Sequence, residues 1–148
     1  MGPMADQLPE ISEVQEAFAF LEDWEDRYRY IMDLGEKLPP MPEQERADRN
    51  LIHGCQSTVW VCMSQCGEAV VLSADSDSKL VKGLAAIVVI AVSGQGAAKI
   101  ARSDLEGLFD GLHLHEHLSP TRSNGLHGMI QQVRGRAAEL VAAGDTNS

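Results

Sequence analysis

At 148 residues the chain is long enough to bury a core without staples, so neither disulfides nor a metal are required to explain folding. Its formal charge of −10, with 13 acids against 5 bases in residues 1–50 and 9 against 7 in residues 51–148, lacks the basic face that nucleic acid demands. Three cysteines, an odd number with no apolar leader ahead of them, argue against a secreted disulfide framework and predict reduced thiols in the cytoplasm.

Ser12 with Gln15 three residues on reads as a capping box, followed by Val14, Ala17, Phe18 and Leu21 at helical spacing. Asp23 is a candidate cap for a second helix that carries Trp24, Tyr28 and Ile31 on one side and stops near Gly35. Pro39, Pro40 and Pro42 then force an extended connector, with Pro42 able to open a short turn over Glu43 to Arg46. The acid-rich half that these elements make up reads as a solvated face, with steering toward a basic protein surface as the alternative.

Thr58 to Ser64 is rich in β-branched and aromatic residues, and Val70-Val71-Leu72 follows across the turn Gln65-Cys66-Gly67-Glu68. Two antiparallel strands are expected, with a third, short one at Asn50 to Ile52. Asp75-Ser76-Asp77-Ser78 offers several N-caps for a helix from about Lys79 to Ser93, ended by Gly94. Its run Leu84 to Val92 is far shorter than the roughly 20 residues of a membrane span, and reads as a buried core helix. Short helical pieces from Gln95 to Gly111, with Leu105, Leu108 and Phe109 inward and Ser103 or Asp104 as caps, precede a break at Ser119-Pro120. A last helix carries the stripe Leu126, Met129, Ile130, Val133, Ala137 and Leu140, with Arg134 and Arg136 near its negative end and a frayed tail from Gly144 to Ser148. Helices segregated from strands predict an α+β fold, a single domain over residues 1–148 with its core at about 11–142 and flexible termini.

The chemistry concentrates at His53-Gly54-Cys55-Gln56-Ser57. A thiol on a glycine-containing bend at the mouth of a strand is a carrier or nucleophile candidate, whereas one inside a strand is packing. Cys62, mid-strand on the side of Trp60, reads as a core cysteine, and Cys66 in the turn as an exposed one. His53 is two residues from Cys55, but on an extended segment i and i+2 share a face without being held in contact. His113, His115 and His117 would share a face if the segment were a strand, which raises a metal site with Cys62 and Cys66, although the cysteine spacing is only loosely zinc-like. Asp75 and Asp77 are read as caps rather than an acid/base pair.

Gly54-Cys55-Gln56-Ser57-Thr58-Val59-Trp60 and His117-Leu118-Ser119-Pro120-Thr121-Arg122-Ser123-Asn124-Gly125-Leu126 resemble the SufE family of sulfur acceptors. Tyr28 to Gly35 and Asp75 to Leu84 also look like that family, so the resemblance covers about Phe20 to Ala138. It implies a small antiparallel sheet of about three strands packed against several helices. It further implies that Cys55 takes persulfide sulfur from a cysteine desulfurase of the SufS or CsdA kind and passes it to a cluster scaffold such as SufB. Gly54, Gln56, Ser57, His53 and Arg122 would then support the thiol or touch the partner. The resemblance places Arg122 near the cysteine loop and puts His117 in a loop without metal. No cofactor is expected beyond a transient persulfide on Cys55, since pyridoxal phosphate belongs to the desulfurase, and no membrane or nucleic acid is expected as a partner. In SufE-like proteins the acceptor cysteine can rest against an apolar cavity and swing out, for which Gly54 supplies backbone freedom.

Two other classes compete. An iron-sulfur or zinc scaffold needs several separated ligands, whereas all three cysteines lie between Cys55 and Cys66. A stand-alone thiol oxidoreductase would ordinarily carry a Cys-x-x-Cys pair, and none is present.

Overall fold

The apolar run from Leu84 to Val92 forms the hub of the fold. In the computed structural model, which describes residues 8–52 and 57–146, it lies in helix α3 (Lys79–Val92), and all of its residues except Ile90 are buried. Around α3 stand α1 (Ile11–Phe20), α2 (Trp24–Glu36), a hairpin of β1 (Val59–Cys66) and β2 (Ala69–Ser76), the short α4 (Ala97–Arg102) and α5 (Leu105–Gly111), and the long α6 (Pro120–Thr146). The arrangement is α+β, as expected. No helix among the described residues is long and apolar enough to cross a membrane.

Helix α1 starts earlier than the capping box suggests. Glu10 occupies the N-cap position without a side-chain bond, and Ser12 and Gln15 are both exposed. Ile11, three residues before buried Val14 and seven before buried Phe18, belongs to the same stripe, so packing draws the first turn forward to include it. At the other end Arg27 reaches back from α2, where Nε donates to the Leu21 carbonyl at 2.6 Å and Nη2 to that of Phe18 at 2.7 Å. A cation thus satisfies orphan carbonyls at the negative end of α1.

Asp23 caps α2 as its position indicates, accepting from the Glu25 amide at 3.2 Å. The helix stops at Glu36, one residue past Gly35 and so near it as expected, but the glycine has a second use. It lies inside the helix against Gly83 of α3, and a Cβ built on Gly83 would fall 2.1 Å from the Ile31 carbonyl oxygen, so the two glycines let the backbones meet. After the prolines come short 3-10 turns at Glu43–Glu45 and Asp48–Asn50.

Strand β1 pairs antiparallel with β2 from Val59↔Ser76 to Cys66↔Ala69 across a two-residue turn whose Gly67 has φ of +66°, the left-handed conformation that tight hairpins favour. Val59, Val61, Val70, Leu72 and Ala74 alternate into the core. Trp60 and Cys62 point the other way, opposite Asp75 and Ser73. That second face is tied to the connector, because Ser73 Oγ donates to Glu45 Oε1 at 2.6 Å and Arg46 Nη2 to Asp75 Oδ2 at 2.7 Å. The free edge of β2 is paired with the segment after α3. Gly94 N donates to the Val70 carbonyl and Val70 N to that of Gln95, both at 2.8 Å.

The sheet therefore has two strands rather than about three. The expected strand at Asn50 to Ile52 is reduced to one bridge, Leu51 with Trp60, because Asn50 is still in the preceding 3-10 turn. In α6, Leu126, Met129, Ile130, Val133 and Ala137 are buried, as their spacing predicts. The helix continues through Thr146, so the expected frayed tail is helical up to that residue, and Arg134 and Arg136 stand in its body rather than at its end.

Candidate functional site

Residues 53–58 connect Leu51-Ile52 to β1, and both stems of this connection are fixed. On the incoming side Leu51 bridges Trp60, and the Ile52 amide donates to the Val59 carbonyl at 2.9 Å. On the outgoing side Thr58 is held by three bonds. Its amide donates to Asp77 Oδ1 at 3.1 Å, while its carbonyl accepts from the Asp77 amide at 3.2 Å and from Ser76 Oγ at 2.7 Å. Ser57 is half-buried at a bend. Cys55, with His53, Gly54 and Gln56, lies outside the described residues, midway in sequence between these two anchors.

Beside the outgoing stem is a shallow groove of about 200 Å³ lined by Met32, Glu36, Ser76, Asp77, Lys79 and Lys82. The segment expected to supply caps divides its labour. Ser78 is the cap of α3, accepting from the Val81 amide at 3.3 Å, and Asp77 belongs to the loop stem. Asp75 receives Arg46 Nε at 3.1 Å and Nη2 at 2.7 Å, with Lys82 Nζ at 3.4 Å from its other oxygen. Burial pushes its carboxyl up, but hydrogen bonds from Arg46 and the Ser76 amide, with the charges of Lys82 and Arg46, outweigh it and hold Asp75 below the usual carboxylate range.

The incoming stem rests on Asn50, a buried polar side chain whose Nδ2 donates to the Glu45 carbonyl at 2.8 Å and whose Oδ1 accepts from Arg136 Nη1 at 3.3 Å. Arg136 also donates through Nη2 to the Arg49 carbonyl. Neither residue stands out in the sequence, since the contact spans 86 positions and leaves no local pattern.

Cys62 is half-buried beneath this stem rather than in the core, because its strand turns it to the face that the connector covers. Burial, then Glu45, pushes its thiol pKa up against the opposing pull of Arg49, Arg136 and the Asn50 side chain. Cys66 is exposed, as expected.

Arg122 is exposed in the first turn of α6, its amide donating to Ser119 Oγ at 3.3 Å. Its guanidinium makes no ion pair with a described residue. The histidines do not line a strand. His113 is left-handed at φ of 59°, His115 sits in the 3-10 turn Leu114–Glu116 with its side chain outside the described set, and His117 stacks on Trp24 at 3.9 Å between ring centroids. The Tyr28 hydroxyl donates to the His117 carbonyl. Among the described residues no three His, Cys, Asp or Glu side chains group as a metal site.

The family model for SufE, described as an Fe-S metabolism associated domain, matches residues 12–137. The chain belongs to the SufE family. An uncharacterized SufE-like protein of Rhizobium meliloti (strain 1021) is 40% identical over 134 residues, covering 88% of this chain and 96% of the relative. A second uncharacterized SufE-like protein, from Rhizobium etli, is 39% identical over 140 residues, covering 92% of this chain and 95% of its own length. The solution structure of a hypothetical protein from Thermus thermophilus shares the fold, with a TM-score of 0.75 at 21% identity over 91% of this chain and 98% of that one. SufE membership assigns the chain a role in iron-sulfur metabolism.

Proposed function

We propose that this SufE-family protein is the sulfur acceptor of a pyridoxal-phosphate cysteine desulfurase and that Cys55 carries the accepting thiol. The observation that supports this best is the pair of anchored stems on either side of the Cys55 segment, at Leu51-Ile52 and at Thr58. A short connection tied down at both ends restricts where its middle residue can be presented, which is what a thiol working on another protein's persulfide requires. Of the other two thiols, Cys62 is half-buried with a raised pKa, and Cys66 is in a hairpin end away from both stems in sequence.

The step balances without an added oxidant or reductant. The Cys55 thiolate attacks the outer sulfur of the donor's persulfide, the donor S–S bond breaks, and its electron pair leaves with the donor thiolate. Cys55 then carries the new S–S bond and the terminal S–H. The desulfurase regains a free cysteine and can turn over again, so activation needs no new chemistry. A cluster scaffold of the SufB kind would be the next acceptor, with Arg122, Gly54, Gln56, Ser57 and His53 as support or partner contact and the cytoplasm as the setting. No resident cofactor is part of the reading.

The test is to incubate the protein with a cysteine desulfurase and cysteine, then weigh it intact. One added sulfur that is lost on reduction and absent in Cys55→Ser is the expected result. A Cys55→Ser protein that stimulates the desulfurase normally would sink the assignment.

A further inference from the structure

Asn50 is the buried polar side chain of the described core, fully enclosed at 0% exposure. An amide taken out of water is costly unless its donors and acceptor are met, so such a residue marks a place where hydrogen bonding outweighs apolar packing. Its partners come from two directions. Nδ2 donates a hydrogen bond to the Glu45 carbonyl, and Oδ1 accepts one from Arg136 Nη1. Arg136 simultaneously holds the Arg49 carbonyl, so one guanidinium grips two successive residues, one by main chain and one by side chain.

What these bonds hold is the start of the Cys55 connection. Asn50 precedes Leu51, whose bridge to Trp60 and whose successor's bond to Val59 end the described incoming stem. The Asp77 clasp at Thr58 limits the outgoing stem, whereas the incoming one is held to β1 by its bridge and the Ile52 bond, to its own 3-10 turn by the Leu51 amide on the Asp48 carbonyl, and to α6 by Arg136. Among the described residues, Arg136 is the α6 side chain that hydrogen-bonds this stem, beside the apolar stripe that packs the helix into the core.

Building on the sulfur-acceptor reading, we infer that Asn50 and Arg136 are positioning residues that lock the incoming stem of the Cys55 loop to α6 and so set where the thiol meets its donor. Neither touches the reacting sulfurs. Their effect is on the fraction of molecules that present Cys55 correctly, and a fall in that fraction weakens apparent affinity in proportion while leaving the chemical step intact.

The experiment titrates each variant against a fixed amount of purified SufS-type desulfurase with excess cysteine, recording half-saturating concentration and plateau rate separately. Arg136→Ala should raise the half-saturating concentration roughly five- to tenfold with a plateau within about twofold of the parent. Arg136→Lys, which retains a donor for the Arg49 carbonyl, should recover most of the loss. Arg134→Ala, on the same helix but paired with Glu106 at 3.5 Å, should leave both parameters unchanged. Because Asn50→Ala deletes every side-chain bond at this position and can unfold the stem outright, Asn50→Ser serves as the second variant, with thermal melting and the exchange rate of the Ile52 amide followed in parallel.

An Arg136→Ala protein with a lower melting point but parental half-saturation would overturn the positioning role and leave a structural one. So would equal losses in Arg136→Ala and Arg134→Ala. A parent protein that takes up no sulfur would overturn the acceptor reading itself, and with it the purpose assigned to the pair.

Discussion

Thr58 and Asp77 exchange two hydrogen bonds, amide to carboxylate at 3.1 Å and amide to carbonyl at 3.2 Å, so the residue that ends the cysteine loop is tied to the residue just ahead of the α3 cap. This couples the loop to the rigid hub of the fold. Asp77→Ala removes the acceptor for the Thr58 amide while leaving Ser76 on the Thr58 carbonyl. Because that amide is exposed to water, the cost to global stability should be small, about 1 kcal/mol or less. Local order should suffer more. Hydrogen exchange at Thr58 and alkylation of Cys55, read by peptide mass, should both speed up several-fold, and unchanged rates would mean that Asp77 does not restrain the loop.

Gly83 and Gly135 make a signed pair. A Cβ on Gly83 would lie 2.1 Å from the Ile31 carbonyl oxygen and 2.6 Å from its carbonyl carbon, which only a shift of α2 against α3 can relieve. Gly83→Ala should therefore destabilise by about 1 to 3 kcal/mol or more, the cost of overpacking where backbone must move. Gly135, in the body of α6, has nothing within 4 Å of a built Cβ. There the alanine only restricts the unfolded chain and favours the helix, so Gly135→Ala should stabilise by roughly 0.5 to 1 kcal/mol. Urea unfolding of the two proteins against the parent checks both signs.

The elements legible in the sequence are those whose signals are local. Asp23 before Trp24, Ser78 before Lys79 and the apolar run to Val92 each carry their cause within a few residues, and each stands where its pattern indicates. Ser12 with Gln15 has an equally local signal, yet Ile11 overrides it because burial of one more apolar side chain outweighs an exposed cap. Asp77 departs from its local pattern for a different reason. A short acid before a helix caps it by default, and only the return of Thr58 from 19 positions away gives it a different partner. The Arg27 grip on α1, the Trp24 stack with His117 and the Asn50 contact with Arg136 depend on tertiary approach, so no spacing rule reaches them. At the candidate site, the thiol-bearing segment is conspicuous by its motif, while the side chains that pin its stems are not.

Asp75 gives the protein a defined acid sensitivity. Its carboxyl is lowered on balance, by Arg46 and the Ser76 amide and by Lys82, against the opposing effect of burial. For a group depressed in the folded state, the stabilising contribution is complete above the unfolded-state pKa and is lost as pH falls through the carboxylate range to the folded value. Proton uptake there weakens the hold on Arg46 and Lys82 together and loosens one of the two ties between the connector and the outer face of β2, leaving the Ser73 bond to Glu45. Asp75→Asn should consequently be less stable than the parent at neutral pH and should lose less on acidification, the two curves converging at low pH. Parallel curves at every pH would contradict the assignment.

Cys62 and Cys66 provide the control on which any sulfur-transfer measurement depends. Cys66 is exposed at the end of β1, while Cys62 is half-buried with its thiol pushed up first by burial and then by Glu45. The thiolate is the reactive form, so Cys62 should label slowly with iodoacetamide near neutral pH and Cys66 readily, by roughly tenfold or more. Cys66→Ser, at the exposed end of β1, should leave stability within about 0.5 kcal/mol of the parent and remove the fast, unspecific site. In that background a persulfide found after incubation with desulfurase and cysteine resides on Cys55 or Cys62, and Cys55→Ser distinguishes them. Loss of the added sulfur in Cys66→Ser/Cys55→Ser, with retention in Cys66→Ser alone, is the expected pattern. Retention in the double variant would instead move the acceptor to Cys62, beneath the stem that Asn50 and Arg136 hold.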